Sequence, residues 1–223
     1  MSNSILIIGA SGTGKSTSLR NLDPKSTFII NVLNKPLPFK NYKKLYTEYT
    51  KDNPKGNYFC SDNYMHVLRC IDKVNKDRSD IKTLVVDDIQ YILINAFMRR
   101  SKERGFDKYT ELANEYWQIM VALNNCRDDL LTVALSHNEI DQNGRSKIKT
   151  VGKLLDEKIA IEGMFTTVLQ SVIVDTEYKF QTQADEYSTA KSPMGMFEDK
   201  YIENDLILVR EAMDNYLRDE TNE

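Results

Sequence analysis

Histidine, cysteine, glycine and proline are all scarce in this chain. Its 223 residues include two histidines, three cysteines, nine glycines and five prolines. The cysteines, Cys60, Cys70 and Cys126, form no CxxC pair, which argues against a zinc site and favours reduced thiols buried in a cytosolic protein. No segment rich in glycine, serine or proline divides the sequence, so we predict one domain over residues 1–223.

Long apolar runs and a large net charge are missing as well. No apolar run reaches the roughly 18 residues that a membrane-spanning helix needs. The start, MSNSILIIGA, has no basic leader, so we expect a buried first strand rather than a secretion signal. These absences predict a cytoplasmic protein without membrane contact. The net charge of −3 excludes a uniformly basic surface, so nucleic acid would be bound only through local basic patches.

Short apolar runs alternate with helical stretches along the first two thirds of the chain. The runs lie at Ile5–Ile8, Thr27–Val32, Thr83–Asp87 and Leu130–Ser136. The helical stretches lie at Lys15–Asn21, about Asn63–Asn75, Ile89–Arg104 and Lys108–Cys126. Apolar strands that alternate with helices predict an α/β fold, with a mainly parallel sheet covered on both faces. We place this core at about residues 1–151.

The pattern changes after Gly152. A short helix is predicted at Lys153–Ala160, and a closing helix at Asn204–Leu217. Between them, Met164–Asp175 and Glu177–Gln183 alternate in polarity as strands of a half-buried sheet do. We therefore predict an antiparallel C-terminal extension over about residues 152–223.

One motif carries a specific chemistry. Residues 9–16 read GASGTGKS and fit the phosphate-binding loop G-x4-G-K-[ST] in full, between an apolar strand and a helix. Backbone N–H groups of such a loop converge on an anion, and the start of the helix adds positive charge. We expect Lys15 to contact the β- and γ-phosphates and Ser16 to ligate Mg²⁺, so ATP and Mg²⁺ are the predicted cofactors. The predicted nucleotide-binding residues are Gly9, Ala10, Ser11, Gly12, Thr13, Gly14, Lys15, Ser16 and Thr17.

Two aspartates end the apolar run that begins at Thr83. Ligands of parallel sheets bind at this end of the strands, which suits Asp87 as a ligand of the magnesium shell and Asp88 as an acceptor of the proton of an attacking water. Either aspartate could instead cap the following helix. Glu48 is another candidate for the base, because many P-loop ATPases carry a glutamate after the second strand. The second strand here is followed by asparagines instead.

The last apolar run of the core ends with Ser136 and His137. A polar side chain at that point would lie near the γ-phosphate and could report its presence. Both residues are therefore predicted sensors, and the alternative is a capped strand end with a partly exposed histidine.

Two basic stretches follow the strands that end at Asp87 and His137. Residues 99–108 hold five basic and two acidic residues. Residues 143–149 place basic residues at alternate positions after a predicted hairpin turn, so these side chains would share one face. Cations on a common surface suit phosphate contacts, and a solvated charged face is the alternative. The candidate DNA-binding residues are Arg99, Arg100, Lys102, Arg104, Arg145, Lys147 and Lys149.

Several blocks together resemble the phage-encoded RecA-like ATPases of the Sak single-strand-annealing group. The resemblance covers most of the length and rests on GASGTGKST, INVLNKPLPFK, LVVDDIQ, ALSH, GKLLDEKIAIEGMFTTVL and AKSPMGMFEDKYIENDL. The last two blocks are more specific than the phosphate-binding loop, which many families share.

This resemblance implies a RecA-like P-loop NTPase fold and Mg²⁺-dependent ATP binding in the host cytoplasm. It further implies homo-oligomers, as a ring or filament, that anneal single-stranded DNA beside a single-strand-binding protein. RecA-like assemblies complete the ATP site with a cation from the neighbouring subunit. The candidates for this cation here are Lys153, Lys158 and Lys191. The alternative is that each of these lysines only forms an ion pair on the surface. RecA carries a glutamate after its second strand, and this chain has no matching residue. Hydrolysis is therefore expected to be slow or to use Asp88.

Two other functions stay open at this point. One is an ATP-switched loader or adaptor of a replication protein, which would need little direct affinity for DNA. The other is a small-molecule or nucleotide kinase, in which Arg99, Arg100 and Arg104 would have to form the arginine-rich lid.

Overall fold

The computed structural model describes residues 3–151, 155 and 159–220 of the chain. Its nine strands are β1 (Ser4–Gly9), β2 (Thr27–Asn31), β3 (Tyr58–Cys60), β4 (Thr83–Asp87), β5 (Leu131–Ile140), β6 (Ser146–Ile148), β7 (Thr167–Val174), β8 (Glu177–Gln181) and β9 (Tyr201–Glu203). Its α-helices are α1 (Tyr42–Leu45), α2 (Tyr64–Asp77), α3 (Gln90–Arg99), α4 (Asp107–Asn124) and α5 (Leu206–Glu220). Two 3-10 helices lie at Ser16–Asn21 and Ile161–Met164.

The strands form one mixed sheet in the order β3-β2-β4-β5-β1-β7-β8-β9, and β6 pairs with β5 outside this path. All neighbours from β3 to β7 are parallel, whereas β8, β9 and β6 join antiparallel. The strand β5 lies between β1, which leads into the phosphate-binding loop, and β4, which ends at Asp87. This confirms the predicted RecA-like P-loop NTPase fold, with antiparallel strands towards the C-terminus.

The parallel strands at the centre of the sheet are mainly apolar because helices cover both faces of the sheet. Along β1, Leu6 and Ile8 pack into the core under α2, α3 and α4. Ile5 and Ile7 face the other way, into the core that α5 shares with the first 3-10 helix. Since side chains alternate across a strand, a strand buried on both faces has no polar positions, and this explains the continuous apolar runs.

Arg127 ties helix α2 to the sheet. Its guanidinium donates hydrogen bonds to the carbonyls of Val74 and Asn75, at 2.9 and 2.8 Å, and to those of Arg78 and Ile81. The last carbonyls of a helix have no partner within the helix, so a half-buried cation there satisfies them and complements the helix dipole. The side chain thus anchors the end of α2 beside the start of β4.

Three predicted elements differ from the structure. Strand β7 pairs in parallel with β1, so the strand that was assigned to the antiparallel extension belongs to the main sheet. Helix α3 ends at Arg99 rather than Arg104, and the first helix is a 3-10 helix. The predicted helix Lys153–Ala160 lies largely outside the described residues. Within the described ranges, no helix is both long and apolar enough to cross a membrane.

Candidate nucleotide-binding site

The carboxyl ends of β1, β4 and β5 meet at one edge of the sheet, as parallel strands require. A cavity of about 320 Å³ opens there. Residues of the phosphate-binding loop line it together with Lys35, Asp87, Asp88 and His137. Tyr178, from β8, borders the cavity beside the loop.

The glycines of the loop are required by both conformation and space. Gly14 has φ +94°, in the left-handed region that favours glycine, and a Cβ atom there would lie 3.0 Å from Oδ1 of Asn204 and from the Tyr178 ring. A Cβ atom on Gly9 would lie 2.7 Å from the carbonyl oxygen of Ser171. The loop is therefore packed against the C-terminal part of the chain, which restricts it to glycine at both positions.

Lys15 is folded over the loop. Its ammonium donates hydrogen bonds to the carbonyls of Gly9 and Ala10, at 2.7 and 2.8 Å. Burial lowers the pKa of Lys15 to about 8, although Asp88 and Asp87 attract its charge. A phosphate at the loop would stabilise the charged form, so this lysine is suited to bind an anion.

Ser16 and Asp87 lie together, as the prediction of a shared metal ion requires. The Ser16 hydroxyl donates to Oδ1 of Asp87 at 3.0 Å. Burial, and next the charge of Asp88, raise the pKa of Asp87 to about 6. Hydroxyl and carboxylate oxygens are the ligands that Mg²⁺ prefers, so the pair fits this ion. Neither aspartate caps α3, whose N-cap is Ile89 without a side-chain hydrogen bond.

Asp88 is held between two nitrogen groups. Its backbone is left-handed, with φ +62°, and its carboxylate lies 2.6 Å from Nζ of Lys35 and 3.4 Å from Nε2 of His137. Burial favours the neutral form, but hydrogen bonds from His137 and Lys35 outweigh it and lower the pKa of Asp88 to about 2. Such a carboxylate is ionised at neutral pH but is a weak base. The role of Asp88 as the base stays a prediction.

Lys35 is a site residue that the sequence reasoning missed. Its ammonium lies over the Tyr91 ring, 5.5 Å from the centroid, besides its contact with Asp88. The available signal was its position just after β2, where many P-loop ATPases carry a glutamate. Glu48, the other candidate base, bridges to Tyr58 at the edge of the sheet and does not line the cavity.

The two predicted sensors occupy different environments. His137 lines the cavity, and its backbone N–H donates to Oε1 of Gln90 at 3.2 Å. Ser136 is fully buried, and its hydroxyl donates to the carbonyl of His137 at 3.1 Å. The geometry thus fits a direct contact with phosphate for His137 and a supporting position for Ser136.

Of the three lysines predicted to complete the ATP site of a neighbouring subunit, Lys191 alone lies among the described residues. The backbone of Lys191 pairs with Val168, which is level with Leu6 rather than with the end of β1 at Gly9. Lys153 and Lys158 lie outside the described residues. Completion of the site by a second subunit stays a prediction.

The first basic stretch is partly engaged in ion pairs. Arg99 contacts Asp62 at 2.7 Å. Arg100 contacts Glu103 and Glu111 at 2.8 and 2.6 Å. Lys102 and Arg104 are exposed in the segment that follows α3. Of the four predicted DNA-binding residues here, Arg99, Lys102 and Arg104 are exposed and Arg100 is half-buried.

The second basic stretch forms the hairpin that its sequence predicts. The turn closes with a hydrogen bond of 3.0 Å from the Gly144 N–H to the Asp141 carbonyl. Along β6, Ser146 and Ile148 are buried, so the alternate residues Arg145, Lys147 and Lys149 share the outer side. Lys147 pairs with Glu139 at 3.3 Å. The N–H of Lys149 donates to the carbonyl of His137 at 2.9 Å, which joins this hairpin to the wall of the cavity.

The C-terminal part of the chain is bonded to the phosphate-binding loop by hydrogen bonds that the sequence did not predict. The Ser171 hydroxyl donates to the carbonyl of Thr13, and Nδ2 of Asn204 donates to the Ser171 hydroxyl at 3.1 Å. Arg20, in the helix after the loop, donates to the carbonyl of Asn204 at 2.6 Å. These bonds fix β7 and the start of α5 to the nucleotide site.

A glycine loop after β1, its lysine, and a serine bonded to the aspartate that ends β4 define a P-loop NTPase with a RecA-like sheet. The chain belongs to the AAA domain family, which matches residues 1–194. The protein is therefore a nucleotide-binding ATPase domain of the P-loop class.

The chain is similar to a KaiC-like protein from the hyperthermophilic archaeon Pyrococcus horikoshii, with 16% identity and a TM-score of 0.44 over 80% of this chain and 76% of that one. No curated protein matches the sequence.

Proposed function

We propose that this ATPase is a DNA-recombination protein that binds single-stranded DNA and promotes the annealing of complementary strands. ATP binding would order the DNA-binding segments, and hydrolysis would release them. The observation that carries the proposal is the hydrogen bond from Lys149 to the carbonyl of His137, because it joins a basic hairpin to a wall of the phosphate cavity.

The chemistry at the nucleotide follows from the residues of the cavity. Lys15 would bind the β- and γ-phosphates, while Ser16 and Asp87 would hold Mg²⁺. Mg²⁺ held there would supply positive charge that offsets the negative charge of the phosphate groups. Lys35 and His137 both contact Asp88, so a γ-phosphate in this cavity competes with that carboxylate for the same two groups.

Strand β5 and helix α3 connect this competition to both basic segments. Past His137, β5 continues into the hairpin that carries Arg145 and Lys149. Helix α3 begins at Gln90, whose side chain accepts the N–H of His137, and leads to the exposed segment with Lys102 and Arg104. A shift of the His137 backbone towards phosphate would therefore be transmitted to the starts of both segments. Cations there would contact the phosphates of DNA without reading its sequence.

A homo-oligomer, as a ring or filament, is part of this proposal. Single strands are long ligands, so several subunits with local basic segments can bind where one subunit with a net charge of −3 would bind weakly. A single-strand-binding protein is the proposed partner that supplies the DNA.

The test is annealing, together with ATPase activity with and without single-stranded DNA. We would reverse the charge of two exposed hairpin residues in the double variant Arg145→Glu/Lys149→Glu. The backbone bond from residue 149 to His137 remains in this variant. The matched control, Lys43→Glu/Lys44→Glu, makes the same change of charge on the exposed helix α1.

The hairpin variant should lose annealing and the stimulation by DNA, while its affinity for ATP and its basal hydrolysis stay unchanged. The control should behave like the unmodified protein. Annealing that survives the hairpin reversal would favour the ATP-switched loader, and transfer of phosphate to a small acceptor would favour a kinase. Lys15→Ala should abolish nucleotide binding, and unaltered ATP affinity in that variant would overturn the site itself.

A further inference from the structure

The connection between β2 and β3 concentrates positive charge. Residues 35–55 hold six lysines and two acidic residues, a local charge of +4 in a chain whose net charge is −3. Five of these lysines are exposed and form no ion pair within the described part of the chain, namely Lys40, Lys43, Lys44, Lys51 and Lys55. A charged run is often only a solvated surface, so a site here needs a second feature.

That feature is a cavity of about 610 Å³ beside the basic connection. Its lining comes from the loop before β2, from the connection itself and from the loop between α2 and β4. The two loops lead into the amino ends of parallel strands, whereas the nucleotide cavity lies at the carboxyl ends. The five residues of β4 separate these edges by about 17 Å. A ligand here would therefore not compete with a nucleotide.

Part of the lining is apolar. Leu45 is 41% exposed and lines the cavity together with Pro24 and Pro54. A single exposed leucine is common on protein surfaces, but here three apolar side chains border the same space. An apolar group placed in the cavity would shield all three from water, which is favourable.

Hydrogen bonds hold the walls of the cavity in place. Asn57 is buried, and its Nδ2 donates to the carbonyls of Pro24 and Leu45, at 2.7 and 3.2 Å. Arg78 donates to the carbonyl of Gly56 at 2.8 Å, next to the wall formed by residues 54 and 55. Because the walls are already ordered, a ligand would not have to order them on binding.

The unbalanced charge of the lining comes from Lys25 and Lys55. Both are exposed, and the side chain of neither forms an ion pair with a described residue. The two aspartates of the lining already have basic partners: Asp77 has Lys73 at 2.5 Å, and Asp80 has Arg78 at 2.8 Å. The chemical complement of this surface is therefore a ligand that carries anionic groups beside an apolar one.

We propose that this cavity is a docking site for an acidic segment of a partner protein. Carboxylates of the segment pair with Lys25 and Lys55, and an apolar side chain of the segment enters the cavity against Leu45. A DNA strand matches this surface less well, because its phosphates would pair with the lysines and leave the apolar lining uncovered. The site lies at the edge of the sheet opposite the basic hairpin, so the partner and DNA could be bound together.

The test uses a synthetic peptide and fluorescence anisotropy. The probe is a labelled peptide of about twelve residues, made of Asp, Glu and Ser with a central Phe. A second peptide has Ser in place of the Phe, and a third has Lys in place of every acidic residue. The variants are Lys25→Glu/Lys55→Glu and Leu45→Ser. The matched control, Lys102→Glu/Lys149→Glu, makes the same change of charge at exposed lysines outside this site.

The unmodified protein should bind the acidic peptide that carries Phe, and added salt should weaken this binding. Lys25→Glu/Lys55→Glu should weaken it about 10- to 100-fold, and Leu45→Ser about fivefold. The peptide without Phe should bind more weakly and the basic peptide should not bind, whereas the control variant should bind like the unmodified protein. Unchanged ATP affinity in every variant would show that each is folded.

Four outcomes would overturn the proposal. The first is the absence of binding at about 1 mM peptide. The second is an equal loss in the control variant, which would show only a general attraction between charges. The third is equal binding of the peptides with and without Phe, which would show that the cavity is not used. The last is a loss of annealing of naked DNA in Lys25→Glu/Lys55→Glu, which would assign this surface to DNA.

Discussion

Replacing Asp87 with asparagine removes a buried carboxylate while keeping the size of the side chain. Burial and the charge of Asp88 raise the pKa of Asp87 from 3.8 to about 6. A carboxyl with a higher pKa in the folded protein binds more protons when folded than when unfolded. Stability therefore falls as pH rises from about 4 to about 6, and the full cost is present above about 6.

The size of this cost follows from the shift of about two pKa units, each worth about 1.4 kcal/mol. The ionised carboxylate lowers the free energy of unfolding by at most about 3 kcal/mol, since the attraction of Lys15 and Lys35 is already included in that pKa. Asparagine carries no charge, and its Oδ1 can still accept the hydrogen bond from Ser16. We expect Asp87→Asn to be more stable than the unmodified protein at pH 8 and equally stable at pH 4.

The assay is thermal or urea unfolding in EDTA without nucleotide, at pH 4 and pH 8. For a domain of this size, the gain at pH 8 corresponds to a rise in Tm of roughly 6–12 °C. Asp80→Asn is the control, because a hydrogen bond from Arg78 lowers the pKa of Asp80 and the opposite sign is expected there. The reasoning is refuted if Asp87→Asn is less stable at pH 8, or if its gain is the same at both pH values.

Four other outcomes follow from single side chains. Because burial lowers the pKa of Lys15 to about 8, nucleotide binding near pH 8 should take up a proton, seen as a buffer-dependent heat in calorimetry; no dependence on the buffer would contradict this. Lys35→Gln should weaken ATP binding about 10- to 100-fold and ADP binding much less, and an equal loss for both would rule out contact with the γ-phosphate. Arg127→Met should lower the free energy of unfolding by about 3 kcal/mol, since four carbonyls lose a hydrogen bond and only those of Val74 and Arg78 keep a backbone donor; urea unfolding would test this. Thr176 has φ +71° in the turn between β7 and β8, so Thr176→Gly should raise that free energy by about 0.5–1 kcal/mol, and a loss of stability would show that the turn is not strained.

The core of the site was predictable because its signals are local in sequence. Gly9 to Ser16 is one contiguous motif, and the run that ends at Asp87 shows its burial through composition alone. Parallel strands place their carboxyl ends at one edge, so the meeting of Ser16 and Asp87 followed from the strand assignments. The hairpin turn at Asp141–Gly144 was predictable for the same reason, since turn chemistry depends on adjacent residues.

The other features of the fold and of the site depend on long-range packing, which the sequence does not show. No local pattern shows that β7 runs parallel to β1, because an alternating strand looks the same in either direction. Lys35 and Tyr178 are 20 residues or more from Lys15 in sequence, and only the closure of the sheet and hairpin brings them to the same site. The shifted pKa values of Asp87 and Asp88 likewise depend on burial and on partners that lie far apart along the chain. The sequence thus predicted a phosphate-binding loop, and the folded arrangement determined which groups surround the cavity beside it.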